Sequence, residues 1–213
     1  MPTAATLLSF SLASLALIVI PGPSVAYVLA TTLRDGRRVG VAATLGVETG
    51  YLVHVAGTVL GISALLAASA AAFTVVKVVG GTYLLWLAWR AWRSRDQRTL
   101  AQLAQPGGAP LSSRAAFLRA LPVGALNPKT AIFYLAFLPQ FIQPAAGPVA
   151  LQLLVLGLLF IALATVVDVQ WALLGGGLRR VLPGLRMRVL DRVTGTVLAA
   201  LAVLTLRASR SAA

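Results

Sequence analysis

Apolar residues in this chain fall in long blocks, and polar residues are mostly confined to the short segments between the blocks. A block of about 18 or more apolar residues with few charges is typical of a helix that crosses a membrane. The pattern predicts an all-α integral membrane protein with six transmembrane helices. The predicted spans are residues 4–29, 41–66, 73–89, 117–138, 149–174 and 193–206.

Composition agrees with this prediction and narrows the function classes. Of the 213 residues, 59% are hydrophobic and 11% charged, whereas soluble domains average about 45–50% apolar and 25% charged residues. The absence of cysteine and the single histidine, His54, exclude disulfides, thiolate catalysis and a multi-histidine metal site. No catalytic residue, metal or cofactor is therefore predicted, and the chain is not expected to be an enzyme.

The net charge of +13 would suggest nucleic acid as a partner in a soluble protein. Here the basic residues cluster in the first, third and fifth loops, and such an excess marks the cytoplasmic side of a membrane protein. The charge pattern thus predicts a multi-pass protein with the lipid bilayer as its partner, no nucleic acid, and both termini in the periplasm. The basic residues of these loops are Arg34, Arg37, Arg38, Arg90, Arg93, Arg95, Arg98, Arg114, Arg119, Arg179, Arg180, Arg186, Arg188 and Arg192.

A polar segment near the middle of the chain divides it into two halves. Residues 1–95 form the first predicted three-helix repeat, residues 96–114 a cytoplasmic linker, and residues 115–213 the second repeat. An odd number of spans per half gives the halves opposite orientations, which is the inverted-repeat plan of many transporters.

A proline-containing break interrupts the opening span of each half. Proline removes a backbone donor, and the freed carbonyl groups need other partners inside a membrane. Interrupted helices at corresponding positions of two halves are a pointer to a binding site between them. The substrate-binding or translocation residues predicted at the breaks are Pro21, Gly22, Pro23, Ser24, Asn127, Pro128 and Lys129.

Two carboxylates lie in the second and fifth spans, which are corresponding spans of the two halves: Glu48 and Asp168. An ionisable residue inside a membrane span indicates function, and these two are predicted to serve in translocation and proton coupling. Lys129, beside the second break, is predicted to hold a substrate carboxylate. The other acids lie in basic loops and are expected to be solvated: Asp35, Asp96 and Asp191.

Small residues form a row along the second span that falls within about 80° of the helix circumference. Such a row lets two helix backbones approach closely. Glu48 projects from nearly the opposite side, so one face is expected to pack and the other to address a polar path. The row consists of Gly46, Gly50, His54, Gly57 and Gly61.

These motifs, in this order, resemble those of the LysE/RhtB amino-acid exporter family over nearly the whole chain. The resemblance implies export of amino acids or close derivatives across a bacterial inner membrane, driven by the proton gradient, and a homodimer. Ser24 stands where many relatives carry Asp or Asn. The matching motifs are Pro21-Gly22-Pro23, Gly46 through His54 to Gly61, Gly80-Gly81-Thr82-Tyr83-Leu84, Asn127-Pro128-Lys129 and Phe137-Leu138-Pro139-Gln140-Phe141.

The expected mechanism is alternating access between the two halves, with Glu48 and Asp168 binding the substrate ammonium or a proton in turn. Three alternatives stay open at this point. The same superfamily fold could export another small solute or ion, the chain could be an intramembrane enzyme, or it could be a structural subunit.

Overall fold

The computed structural model describes residues 1–19, 21–62, 70–95, 109–175 and 187–207, and this part of the chain is helical without a strand. The helices are α1 (Ala4–Ile18), α2 (Pro23–Asp35), α3 (Arg37–Gly57), α4 (Ala70–Trp92), α5 (Ser113–Ala125), α6 (Pro128–Ile132), α7 (Val149–Gly175) and α8 (Met187–Arg207). Helix α3 continues into a π-helical turn, Thr58–Ile62, and α6 continues through a π-helical turn, Phe133–Phe137, and a 3-10 turn, Leu138–Phe141. A separate 3-10 turn, Pro144–Ala146, precedes α7.

Both predicted helix breaks are present. The axes of α1 and α2 differ by 56°, and those of α5 and the segment Pro128–Phe141 by 45°. Within the described residues, the segments Arg37–Gly61 and Val149–Leu174 are each long and apolar enough to cross a membrane, and each bent pair also qualifies as one span. The structure therefore offers up to four membrane spans in its described part. Helices α4 and α8 coincide with the third and sixth predicted spans.

Local side chains explain where several helices begin. The Thr3 hydroxyl accepts a hydrogen bond from the Thr6 amide, and the Ser112 hydroxyl accepts one from the Ala115 amide, so each satisfies a free donor at a helix start. Gly36 separates α2 from α3 with a φ of 92°, a conformation that glycine adopts without strain.

Helix α3 packs closely on α5 along part of the predicted row of small residues. A Cβ added at Gly46 would lie 2.2 Å from the Phe117 carbonyl oxygen, and one added at Gly50 would lie 2.3 Å from the Leu121 carbonyl oxygen. A Cβ at Gly57 or Gly61 would meet nothing within 4 Å. The row was therefore predicted too long, because α5 ends at Ala125 and leaves the C-terminal part of the row uncovered.

Besides the contact of α3 with α5, the two halves meet through two pairs of helices at corresponding positions. Helix α3 packs on α7, and α4 packs along α8, where the Trp92 indole donates to the Thr196 hydroxyl at 3.2 Å. An aromatic cluster fills the space beside α1, α6 and α7, and it brings the second break against α7. The cluster contains Phe10, Phe133, Tyr134, Phe137, Phe141 and Phe160.

Large apolar side chains cover much of the outside of the molecule. Leu12 is 60% exposed, Leu60 74% and Leu126 79%. Extended apolar surfaces of this kind fit a hydrocarbon environment better than water. Near the end of α4 the surface changes, because two arginines there stack on tryptophan rings. The Arg93 guanidinium lies 4.9 Å from the centre of the Trp89 ring.

One prediction about the loop acids is wrong. The Asp35 side chain is only 3% exposed; it forms an ion pair with Arg34 at 2.6 Å and accepts a hydrogen bond of 3.4 Å from the Leu111 amide. Asp35 is thus a structural link between the end of α2 and the segment before α5. Several predicted features lie outside the described residues: linker residues 96–108 with Asp96 and Arg98, residues 63–66 of the second span, Arg179, Arg180, Arg186 and Arg210.

Candidate functional site

The two helix breaks meet at a buried polar cluster. The Asn127 amide nitrogen, at the second break, donates to the Ser24 hydroxyl at 2.5 Å and to the Tyr51 hydroxyl at 3.2 Å. Tyr51 in turn donates to Ser24 at 3.3 Å. These three side chains come from α2, α3 and the start of α6, so one hydrogen-bonded cluster joins both broken helices to an unbroken one.

Asn127 also explains why α6 begins where it does. Its side-chain oxygen accepts a hydrogen bond of 3.0 Å from the Lys129 amide, and Pro128 occupies the first helical position. Proline suits that position because the missing amide donor would have no partner inside the helix. The sequence Asn127-Pro128 therefore ends one helix, starts another, and turns the Asn127 amide toward Ser24.

Lys129 reaches across to the first break. Its ammonium group donates a 2.8 Å hydrogen bond to the Leu17 carbonyl. In a continuous helix the Leu17 carbonyl would accept from the residue four positions later, which is Pro21 and has no N–H. The lysine thus satisfies a carbonyl that the proline break has freed.

Gly22 makes room for this lysine. A Cβ at Gly22 would lie 3.2 Å from Lys129 Cδ and 3.5 Å from its Nζ. The Gly22 backbone has φ −103° and ψ −166°, which any residue can adopt. The glycine is therefore explained by the close approach of the Lys129 side chain and not by backbone conformation.

Glu48 and Asp168 face each other from α3 and α7. Both are 3% exposed, and their carboxyl groups lie close enough to interact with each other. Within the described residues, neither Glu48 oxygen nor Asp168 Oδ1 has a hydrogen-bond partner. Two carboxylates only accept, so a hydrogen bond between them would require a proton on one of the pair. Lys129 attracts Asp168 electrostatically, which places a cation beside this acid pair.

A small cavity lies at the centre of these groups. Its volume is about 20 Å³, which is room for about one water molecule. An amino acid does not fit a space of that size, so this conformation holds the central site closed. The lining residues are Leu17, Ile18, Gly22, Ser24, Val25, Tyr51, Asn127, Lys129, Thr130, Phe160, Ala164 and Asp168.

The structure brings most of the predicted site residues together, but only some of them line the central cavity. Five of them line the cavity, and Glu48 does not line it but interacts with Asp168, which does. The three prolines do not line it: Pro23 and Pro128 start helices on exposed positions, and the Pro21 carbonyl faces the Thr194 hydroxyl at 3.4 Å. The five lining residues are Gly22, Ser24, Asn127, Lys129 and Asp168.

Seven of the cavity residues had not been identified from the sequence, among them Tyr51, Thr130 and Phe160. Tyr51 lies three residues after Glu48 and so shares its side of α3, which is a signal that helical spacing provides. Thr130 is buried and lines the same cavity as Tyr51. Phe160 belongs to an apolar stretch of α7 whose composition gives no such signal.

The opposite side of α3 is occupied by the packing seam. His54 Nε2 lies 3.2 Å from the Gly124 carbonyl oxygen, and a Cβ at Gly124 would lie 2.0 Å from the Val47 carbonyl oxygen. Helix α3 thus separates a tight backbone contact on one face from the acid pair on the other. The seam holds Glu48 and Tyr51 at a fixed position relative to the second break.

Comparison with known proteins gives matches over most of the chain. Residues 15–209 match the family model described as LysE type translocator. The chain is 31% identical over 193 residues to a homoserine/homoserine lactone efflux protein of Salmonella typhimurium, covering 89% of this chain and 90% of the relative. A leucine efflux protein of Enterobacter is 31% identical over 140 residues, 66% of this chain and 65% of the relative.

An uncharacterized membrane protein of Vibrio cholerae is also similar, with 31% identity over 174 residues that cover 81% of this chain and 82% of the relative. No solved structure matches the chain significantly. The family match spans both helix breaks, the acid pair and Lys129, so the cluster lies within the region that the family shares. The chain belongs to the LysE type translocator family.

Proposed function

We propose that this protein exports amino acids or close derivatives across the bacterial inner membrane as a secondary transporter. The observation that carries the proposal is the meeting of two broken helices, one from each half of the chain, around a buried cluster with two acids and one lysine. An amino acid carries one carboxylate and one ammonium group. Lys129 offers a partner for the substrate carboxylate, and the pair Glu48–Asp168 offers partners for the substrate ammonium group.

The rest of the cavity favours a substrate with an uncharged side chain. Beyond Lys129 and Asp168, its described lining consists of apolar and uncharged polar residues, including Val25, Phe160 and Ala164. A second ionised group on the substrate would be buried there without a counter-charge, which is costly. The relatives named for homoserine and leucine efflux make these two neutral amino acids the first substrates to test.

The transport cycle requires the cavity to enlarge. The two halves are proposed as inverted three-helix repeats: α1–α2, α3 and α4 in one, and α5–α6, α7 and α8 in the other. The pairing of α3 with α7 and of α4 with α8 supports this arrangement, because these are the helices that an inverted repeat would relate. The apolar blocks of the sequence support six spans, and the distribution of arginines supports a cytoplasmic position for loops one, three and five.

Export against a gradient needs an energy source, for which we propose the proton gradient. The acid pair can hold one proton between Glu48 and Asp168. Binding of the substrate ammonium would place a positive charge beside the pair and favour loss of that proton. Substrate and proton would then occupy the site in alternation, which couples their movements in opposite directions.

Counterflow in liposomes tests the proposed function directly. The purified protein is reconstituted with a high internal concentration of one unlabelled amino acid, and entry of the same labelled amino acid is followed. Leucine and homoserine are the first probes, followed by a panel of acidic, basic and aromatic amino acids. We expect accumulation of at least one neutral amino acid and none of the acidic ones.

Two controls make the outcome decisive. Empty liposomes report leakage. Thr49→Ala is the control for reconstitution of a variant, because the exposed Thr49 hydroxyl bonds, among the residues that the structure describes, only to the Leu45 carbonyl of its own helix at 2.7 Å. A thermal unfolding transition in detergent shows whether the purified protein is folded. If folded protein exchanges no amino acid of the panel, amino-acid export is refuted. The same liposomes loaded with other small solutes would then test the alternative of a different cargo.

A further inference from the structure

A second and larger cavity lies away from the central cluster, between the end of α2 and the first turns of α5. Its volume is about 260 Å³, against about 20 Å³ for the central one. It therefore has space for a small amino acid in the conformation described, whereas the closed central site does not. The lining residues are Tyr27, Ala30, Thr31, Arg34, Leu111 and Arg119.

A polar stripe on α2 connects the two cavities. Ser24, Tyr27, Thr31 and Arg34 follow one another at helical spacings of three and four residues and fall within about 80° of the helix circumference. Ser24 lines the central cavity, and the other three line the larger one. Ten residues of helix separate the two ends of the stripe, which is about 15 Å at 1.5 Å per residue.

The charges around the larger cavity leave one positive charge uncompensated. Arg34 is paired with Asp35 at 2.6 Å, and the Leu111 amide holds Asp35 in place at 3.4 Å. Arg119 has no acidic partner within the part of the chain that the structure describes. An arginine presents a fork of donors that matches the two oxygens of a carboxylate.

We infer that this cavity is an access vestibule in which Arg119 binds the carboxylate of the amino-acid substrate before the substrate moves along α2 to the central site. The inference rests on the proposed function. The vestibule lies at the end of the molecule that carries Arg37, Arg38 and Arg114, which is the proposed cytoplasmic side. A cavity with a net positive charge raises the local concentration of carboxylates and speeds their capture.

Sided transport kinetics with an Arg119→Gln variant test the inference. Vesicles of both orientations are prepared, and the concentration dependence of leucine and homoserine transport is measured from the cytoplasmic and from the opposite side. Loss of a charge-assisted hydrogen bond is expected to raise the apparent KM from the cytoplasmic side on the order of tenfold. The KM from the opposite side and the maximal rate are expected to be unchanged, and Arg119→Lys is expected to restore part of the loss.

Arg114→Gln is the matched control, because Arg114 is an exposed arginine of the same helix that does not line the cavity. Equal KM values for Arg119→Gln and wild type from the cytoplasmic side would overturn the inference, as would an equal rise from both sides. If wild-type protein transports no amino acid at all, the proposed function fails first, which is a separate result.

The phosphate of an anionic lipid such as phosphatidylglycerol offers the same oxyanion chemistry as a substrate carboxylate. The phosphate of phosphatidylcholine is balanced by the choline cation of its own headgroup, so bilayer composition separates the two sources. The measurements are repeated in liposomes of phosphatidylcholine alone and of phosphatidylcholine with phosphatidylglycerol. A substrate site predicts the Arg119→Gln defect in both bilayers. A defect seen only with phosphatidylglycerol would assign the cavity to a lipid headgroup and overturn the vestibule.

Discussion

The Lys129 ammonium nitrogen lies 2.8 Å from the Leu17 carbonyl oxygen, so the helix break in one half of the chain is bonded to the helix break in the other. The hydrogen bond is available because Pro21 leaves that carbonyl without its helical partner. The ammonium group has three N–H donors, so a substrate carboxylate would share Lys129 with the Leu17 carbonyl. Substrate binding at this lysine would therefore take place at the link between the halves, where it can influence their relative movement.

We predict that Lys129→Met strongly weakens amino-acid counterflow, because methionine keeps much of the side-chain length but cannot bind a carboxylate. Loss of a hydrogen bond from a charged donor costs about 1.5–3 kcal/mol, so substrate affinity should fall by about tenfold or more. Counterflow as a function of leucine and homoserine concentration measures this. Lys77→Met, which removes the only other lysine, is the control for the loss of one charge. Wild-type counterflow by Lys129→Met would exclude a role for this ammonium in substrate binding.

The sequence was sufficient to locate the breaks and the acid pair, for identifiable physical reasons. Proline has the same effect on a helix in any surroundings, so Pro21 and Pro128 could be interpreted locally. A carboxylate in an apolar span is costly wherever it lies, which singled out Glu48 and Asp168. Their corresponding positions in the two halves then placed both in the predicted translocation path, but not in contact with each other.

Partners that depend on the packing of distant helices could not be predicted. Nothing in the sequence around Leu17 shows that its carbonyl accepts a hydrogen bond from the Lys129 ammonium group, because that contact joins the two halves of the chain. Tyr51 resembles many other aromatic residues of apolar helices until Ser24 and Asn127 are placed beside it. Asp35 was misinterpreted because a short basic loop suggests solvation, whereas the Leu111 segment covers it.

We predict that Gly46→Ala destabilises the protein, whereas Gly57→Ala on the same helix does not. The new Cβ at Gly46 would lie 2.2 Å from a backbone oxygen of α5, and relieving that overlap requires the helices to separate. Overpacking of this kind costs about 1–3 kcal/mol. A Cβ at Gly57 meets nothing within 4 Å, and alanine favours helix by up to about 1 kcal/mol. Thermal unfolding in detergent measures the difference, and equal midpoints would show that the close contact of α3 and α5 is absent.

We predict that Tyr51→Phe impairs transport while Tyr83→Phe does not. Removal of the Tyr51 hydroxyl leaves Ser24 and Asn127 without a shared partner between the two breaks. The loss of about 0.5–1.5 kcal/mol per hydrogen bond corresponds to a severalfold fall in the rate of counterflow. Tyr83 is exposed on α4 and packs on Trp86 through its ring, which phenylalanine retains. Equal rates for Tyr51→Phe and wild type would mean that the cluster does not need this hydroxyl.

The acid pair gives the sharpest test of proton coupling, because its two members face different neighbours. Glu48 faces Asp168, while Asp168 also faces Lys129. Glutamine at position 48 resembles a glutamic acid that never releases its proton. We therefore predict that Glu48→Gln retains exchange of amino acids but loses accumulation driven by an imposed pH gradient.

Asp168→Asn should have the more severe defect, since it removes the counter-charge of Lys129 as well as a proton acceptor. Both exchange and gradient-driven accumulation are expected to fall to the level of empty liposomes. Thr49→Ala, adjacent to Glu48 but exposed, should behave as wild type in both assays. If both acid variants accumulate substrate under a pH gradient as well as wild type does, the proton is not carried by this pair. Loss of exchange together with accumulation in Glu48→Gln would instead place Glu48 in substrate binding, because a coupling residue alone is not needed for exchange.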